Sequence, residues 1–332
     1  MTVVLSTVNE CAILCKVYAK IPDKMMEDEM NEKQAQILRL KKEKDAVIMA
    51  HYYVEDDIQE IADYVGDSYY LSEMATKVAE KTIILCGVSF MGESAKLLNP
   101  KKKVLLPDVL ADCPMAHMAS VEKIKEVREK YKEDVAVVCY VNSTAELKSH
   151  SDVCVTSANA VKVVKGLQNK YIYFIPDQHL GRYVAQQVPE KTFIFNDGGC
   201  PIHTMMTKKD IQAALDCHPN AKILVHPECQ EEVTDMADYI GSTSGIINYA
   251  TASEDREFII VTELGVMYEL KKKNPDKLFY PAGPQLICAD MKKITLDKII
   301  KVLEEDSEGV IMEDAFMNRA NAPLVRMLEL AR

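Results

Sequence analysis

A chain of 332 residues, 48% of them hydrophobic and 27% charged, is long enough for two or three domains with a sizeable core. The formal net charge of −11 argues against the basic face of a nucleic-acid-binding protein. The sequence has no run of the roughly 18–20 apolar residues that span a membrane. These properties predict a globular protein without a nucleic-acid partner and without membrane association.

The N-terminal residues and the cysteines together favour a cytoplasmic location. The first 20 residues lack the basic start and the cleavage site of a signal peptide. The chain nevertheless has ten cysteines. In a reducing cytoplasm, grouped thiols are more often metal ligands or catalytic groups than disulfides. We therefore expect a cytoplasmic protein that uses some of its thiols for chemistry.

The elements predicted along the chain alternate between helices and strands. Residues 1–30 show no clear period, and we interpret them as a peripheral extension that carries Cys11 and Cys15. Residues 31–44 have the pattern of an amphipathic helix that leads into the first strand. β-branched apolar runs and helical stretches then alternate about every 12–15 residues, which is typical of βαβ units with parallel sheets. Further amphipathic stretches predict helices at 120–134, 208–219, 296–305 and 323–331.

The same series of features occurs three times. Each copy has an apolar run ending in polar residues, an aspartate followed five residues later by a hydroxyl side chain, and a second apolar run. These pairs are Asp63 and Ser68, Asp152 and Ser157, and Asp238 and Thr243. Each copy ends in a cysteine after a third run, and the cysteines, 87 and 88 residues apart, are Cys113, Cys200 and Cys288. The chain therefore predicts three copies of one α/β unit, and packing about a pseudo-threefold axis would bring the three thiols together.

Three thiols from three separate loops favour a metal centre of a particular kind. They do not fit a zinc ribbon, whose ligands come as local C-x₂₋₄-C pairs, or the closely spaced cysteines of ferredoxins. Three thiolates can hold a 4Fe-4S cluster and leave one iron without a protein ligand. That iron would act as a Lewis acid toward a substrate hydroxyl or carboxylate. The remaining cysteines of the repeats are interpreted as small buried residues: Cys86, Cys139, Cys154, Cys217 and Cys229.

Two further sets of residues at equivalent positions predict a binding site around these thiols. Ser68, Ser157 and Thr243 are each expected at the N-terminus of the helix that follows the first strand of its unit, where free N–H groups bind carboxylates or phosphate. The carboxyl ends of the first strands carry polar pairs spaced i, i+2, which would share one face of a continuing strand and point into a central cavity. The pairs are His51 with Tyr53, Tyr140 with Asn142, and His226 with Glu228. Among them, Tyr53, His226 and Glu228 are candidates for general acid–base catalysis.

Several long motifs resemble those of the quinolinate synthase family. In chain order they are AHYYVEDDIQEIADYVGDS, FMGESAKLLNPKKKVLLPDVLADCPMA, YVNSTAELK, VTSANAVKVV, GGCPIH, VHPEC, ADYIGSTSGI, TELGVMYELKKKNPDK and the CADMKKITL stretch. The resemblance covers residues 31–332. It implies the condensation of iminoaspartate (iminosuccinate) with dihydroxyacetone phosphate to quinolinate, with release of phosphate and water, in de novo NAD biosynthesis. L-aspartate oxidase or aspartate dehydrogenase would be functionally coupled as the source of the imine.

The resemblance also implies a fold and a set of site residues. The fold would be three similar three-layer α/β/α units with small parallel sheets about a pseudo-threefold axis, with the active site at the centre. We accordingly expect an extension at 1–30, units at 31–118, 119–206 and 207–292, and closing helices at 293–332. The cluster ligands would be Cys113, Cys200 and Cys288. Tyr53 and Glu228, with His51 and His226, would act catalytically, and substrate would contact His51, Ser68, Tyr140, Asn142, Ser157, His203, His226, Glu228 and Thr243.

Two departures from the family pattern and two alternative functions accompany this interpretation. Tyr52 replaces a usual Asn and is expected to point away from the face of Tyr53. Cys288 is not part of a C-x-x-C pair, so redox control through such a pair is not supported. The alternatives are a 4Fe-4S hydro-lyase for another acid and a structural cluster or zinc module. A structural site would need a fourth protein ligand, and another hydro-lyase would not explain the match over every motif.

Overall fold

The computed structural model describes residues 31–305 and 307–332. The predicted extension at 1–30, with Cys11 and Cys15, lies outside the described residues. Within them the protein has three four-stranded sheets, and every strand pair in each sheet is parallel. The α/β architecture and the repetition of one unit are thus confirmed. The boundaries between the units stay predictions.

The first unit begins with a helix whose start is fixed by a capping box. The Asn31 side chain accepts from the Gln34 N–H at 2.9 Å, and the Gln34 side chain accepts in return from the Asn31 N–H at 3.1 Å. Its helices and strands, in chain order, are α1 (Glu32–Glu43), β1 (Ala46–His51), α2 (Asp56–Ile61), β2 (Tyr64–Gly66), α3 (Ser68–Ala75), β3 (Thr82–Cys86), α4 (Ser89–Leu98) and β4 (Lys103–Leu105).

The second and third units repeat this series after one connecting helix each. The helices and strands of the second unit are α5 (Val121–Tyr131), β5 (Val135–Tyr140), α6 (Ala145–Ser149), β6 (Val153–Val155), α7 (Ala160–Gly166), β7 (Tyr171–Ile175), α8 (Gln178–Gln187) and β8 (Thr192–Phe195). The third unit follows a short helix, α9 (Pro201–Thr204). Its elements are α10 (Lys208–Cys217), β9 (Lys222–Val225), α11 (Glu231–Thr234), β10 (Tyr239–Ile240), α12 (Thr243–Ala252), β11 (Glu257–Val261), α13 (Val266–Lys273) and β12 (Leu278–Pro281).

All three sheets have the same strand order. The first strand of each unit lies between its second and third, and the fourth pairs with the third, which gives β2-β1-β3-β4, β6-β5-β7-β8 and β10-β9-β11-β12. β1, β3 and β5 are buried along their whole length. Such continuous apolar runs are expected for parallel strands with helices on both faces. Parallel strands also place all carboxyl ends of a sheet at one edge.

The aspartates of the repeat have a structural role in this arrangement. Each lies just before the short second strand, and its carboxylate accepts a hydrogen bond from the main chain of the first strand. The pairs are Asp63 with Ile48 N (2.8 Å), Asp152 with Val137 N (2.7 Å) and Asp238 with Ile223 N (2.9 Å). Each aspartate N–H donates back to the same strand residue. This reciprocal pair holds the second strand in register, so the repeated aspartate does not belong to the binding site.

The closing helices pack on different units. α14 (Leu296–Glu304) lies against α1, and α15 (Asp314–Leu330) lies against α6, β6 and α4. α15 begins at Asp314, earlier than the predicted 323, and includes Pro323. The first two units and both closing helices share one apolar core, whereas the third unit has two smaller clusters, one on each face of its sheet. Each helix in the described ranges is too short or too polar to cross a bilayer.

Candidate active site and metal centre

The hydroxyl turns lie after the second strand of each unit, not after the first as predicted. The short second strands, only two or three residues long, were absent from the sequence-based prediction. Ser68 and Thr243 are the first residues of α3 and α12, and Ser157 lies in the turn before α7. Neighbouring side chains take the capping position at these helices: Asp67 accepts from Tyr70 N and Ser242 from Gly245 N.

The polar pairs at the first strands lie at the predicted edge, with one geometric difference. The strands end at or just before the first member of each pair, so the second member lies in a turn. In two units the histidine stabilises this turn: His51 Nδ1 accepts from Tyr53 N at 3.2 Å, and His226 Nδ1 accepts from Glu228 N at 3.4 Å. A neutral ring that accepts at Nδ1 carries its proton on Nε2. Each histidine therefore has an N–H group to offer to an anionic ligand.

Glu228 is the charged centre of the site. Its Oε1 accepts from the Tyr140 hydroxyl at 2.6 Å, and its Oε2 lies 2.8 Å from His203 Nδ1 and 3.7 Å from His226 Nδ1. Burial alone raises the pKa of this carboxyl, but His226, His203 and Tyr140 outweigh burial and bring the pKa well below its ordinary value. The buried Glu228 carboxylate is thus kept ionised, with Tyr140 and His203 of the second unit as its nearest side-chain partners.

Burial perturbs the pKa values of the other polar groups in the direction of neutrality. It lowers the pKa of His51 to about 4 and that of His226 to about 3, against an ordinary 6.5. It also raises the pKa of the Tyr53 and Tyr140 hydroxyls well above 10, with the Glu228 charge as the next contribution. At neutral pH the Glu228 carboxylate therefore lies among the neutral rings of His51 and His226 and the neutral phenols of Tyr53 and Tyr140, which can donate hydrogen bonds.

Tyr53 links the first unit to the third. Its hydroxyl lies 2.8 Å from Thr243 Oγ1 and 2.8 Å from Thr262 Oγ1. Gly265 permits the close approach, since a side chain there would meet Tyr52 O and Tyr53 Cα at 2.6 and 2.8 Å. Tyr52 is buried in an apolar cluster of the third unit, against which Tyr53 also packs.

The remaining predicted substrate residues do not join this network. Ser68 and Ser157 are half-buried, and the hydrogen bonds found in the described part of the chain leave their hydroxyls without a partner. Asn142 Oδ1 is buried and has no partner among the same residues. A buried polar oxygen without a partner costs free energy unless a ligand satisfies it. Asn142 thus has the property expected of a ligand-binding side chain.

The three predicted ligand cysteines occupy equivalent loops after β4, β8 and β12. Cys113, Cys200 and Cys288 are partly buried, free thiols. Burial raises the pKa of all three thiols, that of Cys113 to about 12. In each loop, hydrogen bonds from the main-chain N–H groups two and three residues after the cysteine lower the thiol pKa in part. Cys288 further raises the pKa of Cys113, and Cys113 further raises the pKa of Cys200. The thiols of different units therefore interact electrostatically.

Each of these cysteines also has its main chain held by a carboxylate. Cys113 N donates to Asp112 Oδ1 at 2.8 Å, Cys288 N donates to Glu263 Oε1 at 3.1 Å, and Cys200 N interacts with Asp177. Asp177 and Glu263 are fully buried and lie at one repeat position, two residues after β7 and β11. These carboxylates fix the loops that carry the thiols.

The site offers two sets of donors that could hold a metal. Within the described ranges, the group whose ligand atoms lie within 4.8 Å of one another consists of Cys200, His203 and Glu228, without Cys113 and Cys288. A tetrahedral zinc ion with bonds of about 2.3 Å requires ligand atoms roughly 4 Å apart. The three free thiols on equivalent loops are the donors that an iron–sulfur cluster takes, and Glu228 lies beside one of them, Cys200.

The other cysteines of the repeats are mostly structural. Cys86, Cys139, Cys154 and Cys229 are buried in the apolar clusters, as predicted. The prediction for Cys217 was wrong, because its side chain is exposed at the end of α10. The C-terminal residue of a helix on the outside of the sheet lies at the surface, and the apolar pattern of α10 includes Ile211 and Ala214 but not Cys217.

Sequence reasoning missed three residues that support the site. Thr262 bridges Tyr53 and His203. Asp177 and Glu263 hold the loops that carry Cys200 and Cys288. Glu263 also lies 3.5 Å from the ammonium of Lys292, which donates to Tyr53 O at 3.0 Å. The signal was the acidic residue two positions after the third strand in the second and third units. It is absent from the first unit, where Gly87 and Val88 stand instead.

Comparison with known proteins shows the family to which the chain belongs. Residues 35–329 match the family model described as "Quinolinate synthetase A protein". The chain is 52% identical over 295 residues to the "Quinolinate synthase" of Fusobacterium nucleatum subsp. nucleatum, covering 89% of this chain and 98% of that protein. The proteins of that name from Clostridioides difficile and Aquifex aeolicus are 50% and 45% identical over 296 and 312 residues, which is 89% and 92% of this chain and 97% of each relative. The chain therefore belongs to the quinolinate synthetase A protein family and is an enzyme.

Proposed function

We propose that the enzyme condenses iminoaspartate with dihydroxyacetone phosphate to quinolinate, releasing phosphate and water. The observation that supports this most is the meeting of three units at Glu228. Tyr140 donates to this carboxylate from the second unit, and His203 links it through Thr262 to Tyr53 of the first. Condensation and dehydration require protons to be taken from and returned to substrate atoms, and this arrangement has an ionised base beside neutral phenol donors.

In this proposal Cys113, Cys200 and Cys288 hold one 4Fe-4S cluster. The support is their chemistry: free thiols from equivalent loops, each loop held by a carboxylate. When bound, a cluster with three protein ligands supplies one iron that acts as a Lewis acid toward a substrate oxygen. The protein's part is to fix three loops relative to Glu228 and to exclude bulk water around them.

The substrates carry two carboxylates and a phosphate, and the site offers neutral donors for such groups. His51 and His226 present Nε2–H groups, and Ser68 and Ser157 present hydroxyls near helix N-termini. Asn142 adds an amide oxygen without a partner in the described chain, which can accept from a substrate N–H or hydroxyl. Neutral donors bind anions without the strong attraction that would slow product release.

Proton transfer falls to Glu228 and Tyr53, with His226 and His51 beside them. Glu228 is held ionised and can accept a proton, whereas Tyr53 keeps its proton and can donate it to a developing oxyanion. The proposal places the enzyme in the cytoplasm and couples it functionally to L-aspartate oxidase or aspartate dehydrogenase, since the imine hydrolyses readily and must be supplied close to its use.

Anaerobic assay with both substrates tests the function. We expect quinolinate from the purified enzyme and about four irons and four sulfides per chain. Cys113→Ser, Cys200→Ser and Cys288→Ser should each lose cluster and activity, while Cys86→Ala, which alters a buried thiol in β3, should retain iron. Turnover of another hydroxy acid without quinolinate formation would favour a different hydro-lyase. Iron held without any turnover would favour a structural cluster.

A further inference from the structure

Gln59 lies on α2, just after the turn that carries Tyr53, and its side chain is buried. Its Nε2 amide group donates to three main-chain carbonyls. Tyr52 O accepts at 3.0 Å, Val54 O at 3.1 Å and Gly265 O at 3.1 Å. Tyr52, Tyr53 and Val54 form the Tyr53 turn, whereas Gly265 belongs to the third unit. One amide group therefore binds the main chain on both sides of Tyr53 and connects it to another unit.

The orientation of the Gln59 amide follows from its partners. Main-chain carbonyls only accept hydrogen bonds, so the amide nitrogen must face them and the amide oxygen must face away. Two N–H bonds serve three carbonyls, so at least one N–H is shared between two acceptors. The amide oxygen, Oε1, is buried and has no partner within the residues that the structure describes. A buried acceptor without a partner costs free energy, so Gln59 contributes to the fold through its donors and not through its oxygen.

The third carbonyl of the Tyr53 turn accepts from Lys292. The Lys292 ammonium donates to Tyr53 O at 3.0 Å and lies 3.5 Å from Glu263 Oε1. All three successive carbonyls of the turn thus accept from a side chain, and Gln59 makes two of these three bonds. At the other end of the residue, the Tyr53 hydroxyl lies 2.8 Å from Thr243 Oγ1. The main chain and the phenol of Tyr53 are therefore both fixed against the third unit.

We propose that Gln59 is a positioning residue that holds the Tyr53 turn against the third unit and so fixes the Tyr53 phenol for proton transfer. The inference rests on the proposed function of the site and names the side chain that sets the position of one of its proton-transfer groups. Gln59 acts through the main chain of the turn, and Tyr53 is the group that meets substrate. Without the amide donors, two carbonyls of the turn and that of Gly265 lose a partner, and the turn can shift relative to the third unit. A displacement of about 1 Å at a reacting group can slow the chemical step by about 10²-fold.

Gln59→Met tests this role in the cluster-containing enzyme, because methionine has a similar length but no hydrogen-bond donor. We expect kcat and single turnover to slow by about 10- to 100-fold, with KM changed by less than about threefold and iron content unchanged. The same substitution in the Tyr53→Phe enzyme provides the decisive comparison. Because Gln59 acts through the Tyr53 hydroxyl, Gln59→Met should change the residual rate of Tyr53→Phe by less than about twofold. A structural role alone would slow both enzymes by the same factor.

Gln34→Met provides the matched control, because Gln34 is also a buried amide that contacts α2. Its Nε2 donates to Asp57 O at 3.1 Å and to Glu60 Oε2 at 2.9 Å, and both of these acceptors lie outside the Tyr53 turn. This variant should turn over like the unmodified enzyme, whatever it loses in stability.

Full activity of folded Gln59→Met, or an equal loss of rate with and without the Tyr53 hydroxyl, would overturn the role of Gln59. If the variant does not fold, hydrogen exchange in the unmodified enzyme decides. The side-chain N–H protons of Gln59, followed by NMR of ¹⁵N-labelled enzyme in D₂O, should exchange at least about 10²-fold more slowly than those of the exposed Gln168. Exchange at Gln59 as fast as at Gln168 would show that the amide does not hold the turn. Absence of quinolinate from the unmodified enzyme would instead refute the proposed function.

Discussion

Lowering the pH from 7 to 5 is expected to destabilise the protein through two buried histidines of the site. His51 and His226 are 6% and 3% exposed, and burial lowers their pKa values to about 4 and about 3. For both, the folded pKa lies below the unfolded value of about 6.5. The unfolded chain therefore binds more protons between pH 6.5 and about pH 4. The resulting stability is present above pH 6.5 and is lost as the pH falls through this window.

The size of the loss follows from these pKa values. At pH 5, protonation of an unfolded histidine with a pKa of about 6.5 stabilises the unfolded chain by about 2 kcal/mol, while the folded ring gains about 0.1 kcal/mol or less. Two histidines together give about 4 kcal/mol, a large share of a typical total of roughly 5–15 kcal/mol. Glu228 affects the free energy of unfolding only at lower pH, because its pKa is lowered from an ordinary value of 4.5 in the folded protein.

Urea denaturation of the metal-free protein at pH 7, 6 and 5, followed by far-UV circular dichroism, measures this loss. His51→Gln and His226→Gln should each reduce the drop between pH 7 and 5 by about 2 kcal/mol. His150→Gln is the matched control, because that ring lies near the surface beside Glu146. If unfolding free energy were unchanged from pH 7 to 5, or if both site variants kept the full drop, the two rings would not be buried in the neutral form.

Three further changes separate the roles of the site residues. Glu228→Gln keeps the shape of the side chain but not its charge, so it should bind substrate and slow single turnover by about 10²–10⁴-fold; unchanged turnover would contradict the assignment of the base. Ser157→Ala removes one donor to an anionic group and should weaken binding by about 10- to 100-fold in equilibrium titrations, with iron retained. Glu263→Gln removes the charge that holds the Cys288 loop and that pairs with Lys292. A chelator should therefore remove iron from this variant several-fold faster than from Glu254→Gln, the control at an exposed position. Equal rates of iron loss would show that the Glu263 carboxylate does not hold the loop.

Local rules were sufficient to predict the repeated frame. The amphipathic pattern of residues 31–44 and the apolar runs of the buried strands express interactions between residues close in sequence. The same rules missed β2, β6 and β10, since two or three residues are too few for a periodic pattern. The reciprocal bonds of Asp63 and its equivalents, made across 15 residues, maintain these strands.

Contacts between the units were beyond prediction from one sequence. Tyr53 is about 200 residues away in sequence from Thr243 and Thr262. Their contact depends on how the edge of the first sheet lies against the edge of the third. Thr262 escaped notice for a related reason. Its position in the repeat is occupied by Gly87 in the first unit and Pro176 in the second, so no pattern common to the three copies marks it.

The chemistry of the site lies in these departures from threefold repetition. The fold supplies three equivalent loops, and each carries a free cysteine, the same ligand from each unit that the proposed cluster would need. The strand ends differ: the second position of the polar pair is Tyr53 in the first unit, Asn142 in the second and Glu228 in the third. Only the third unit provides a carboxylate there, and Tyr140 and His203 of the second unit are directed to it. A symmetric frame thus holds one acceptor and several donors, which a single asymmetric substrate pair requires.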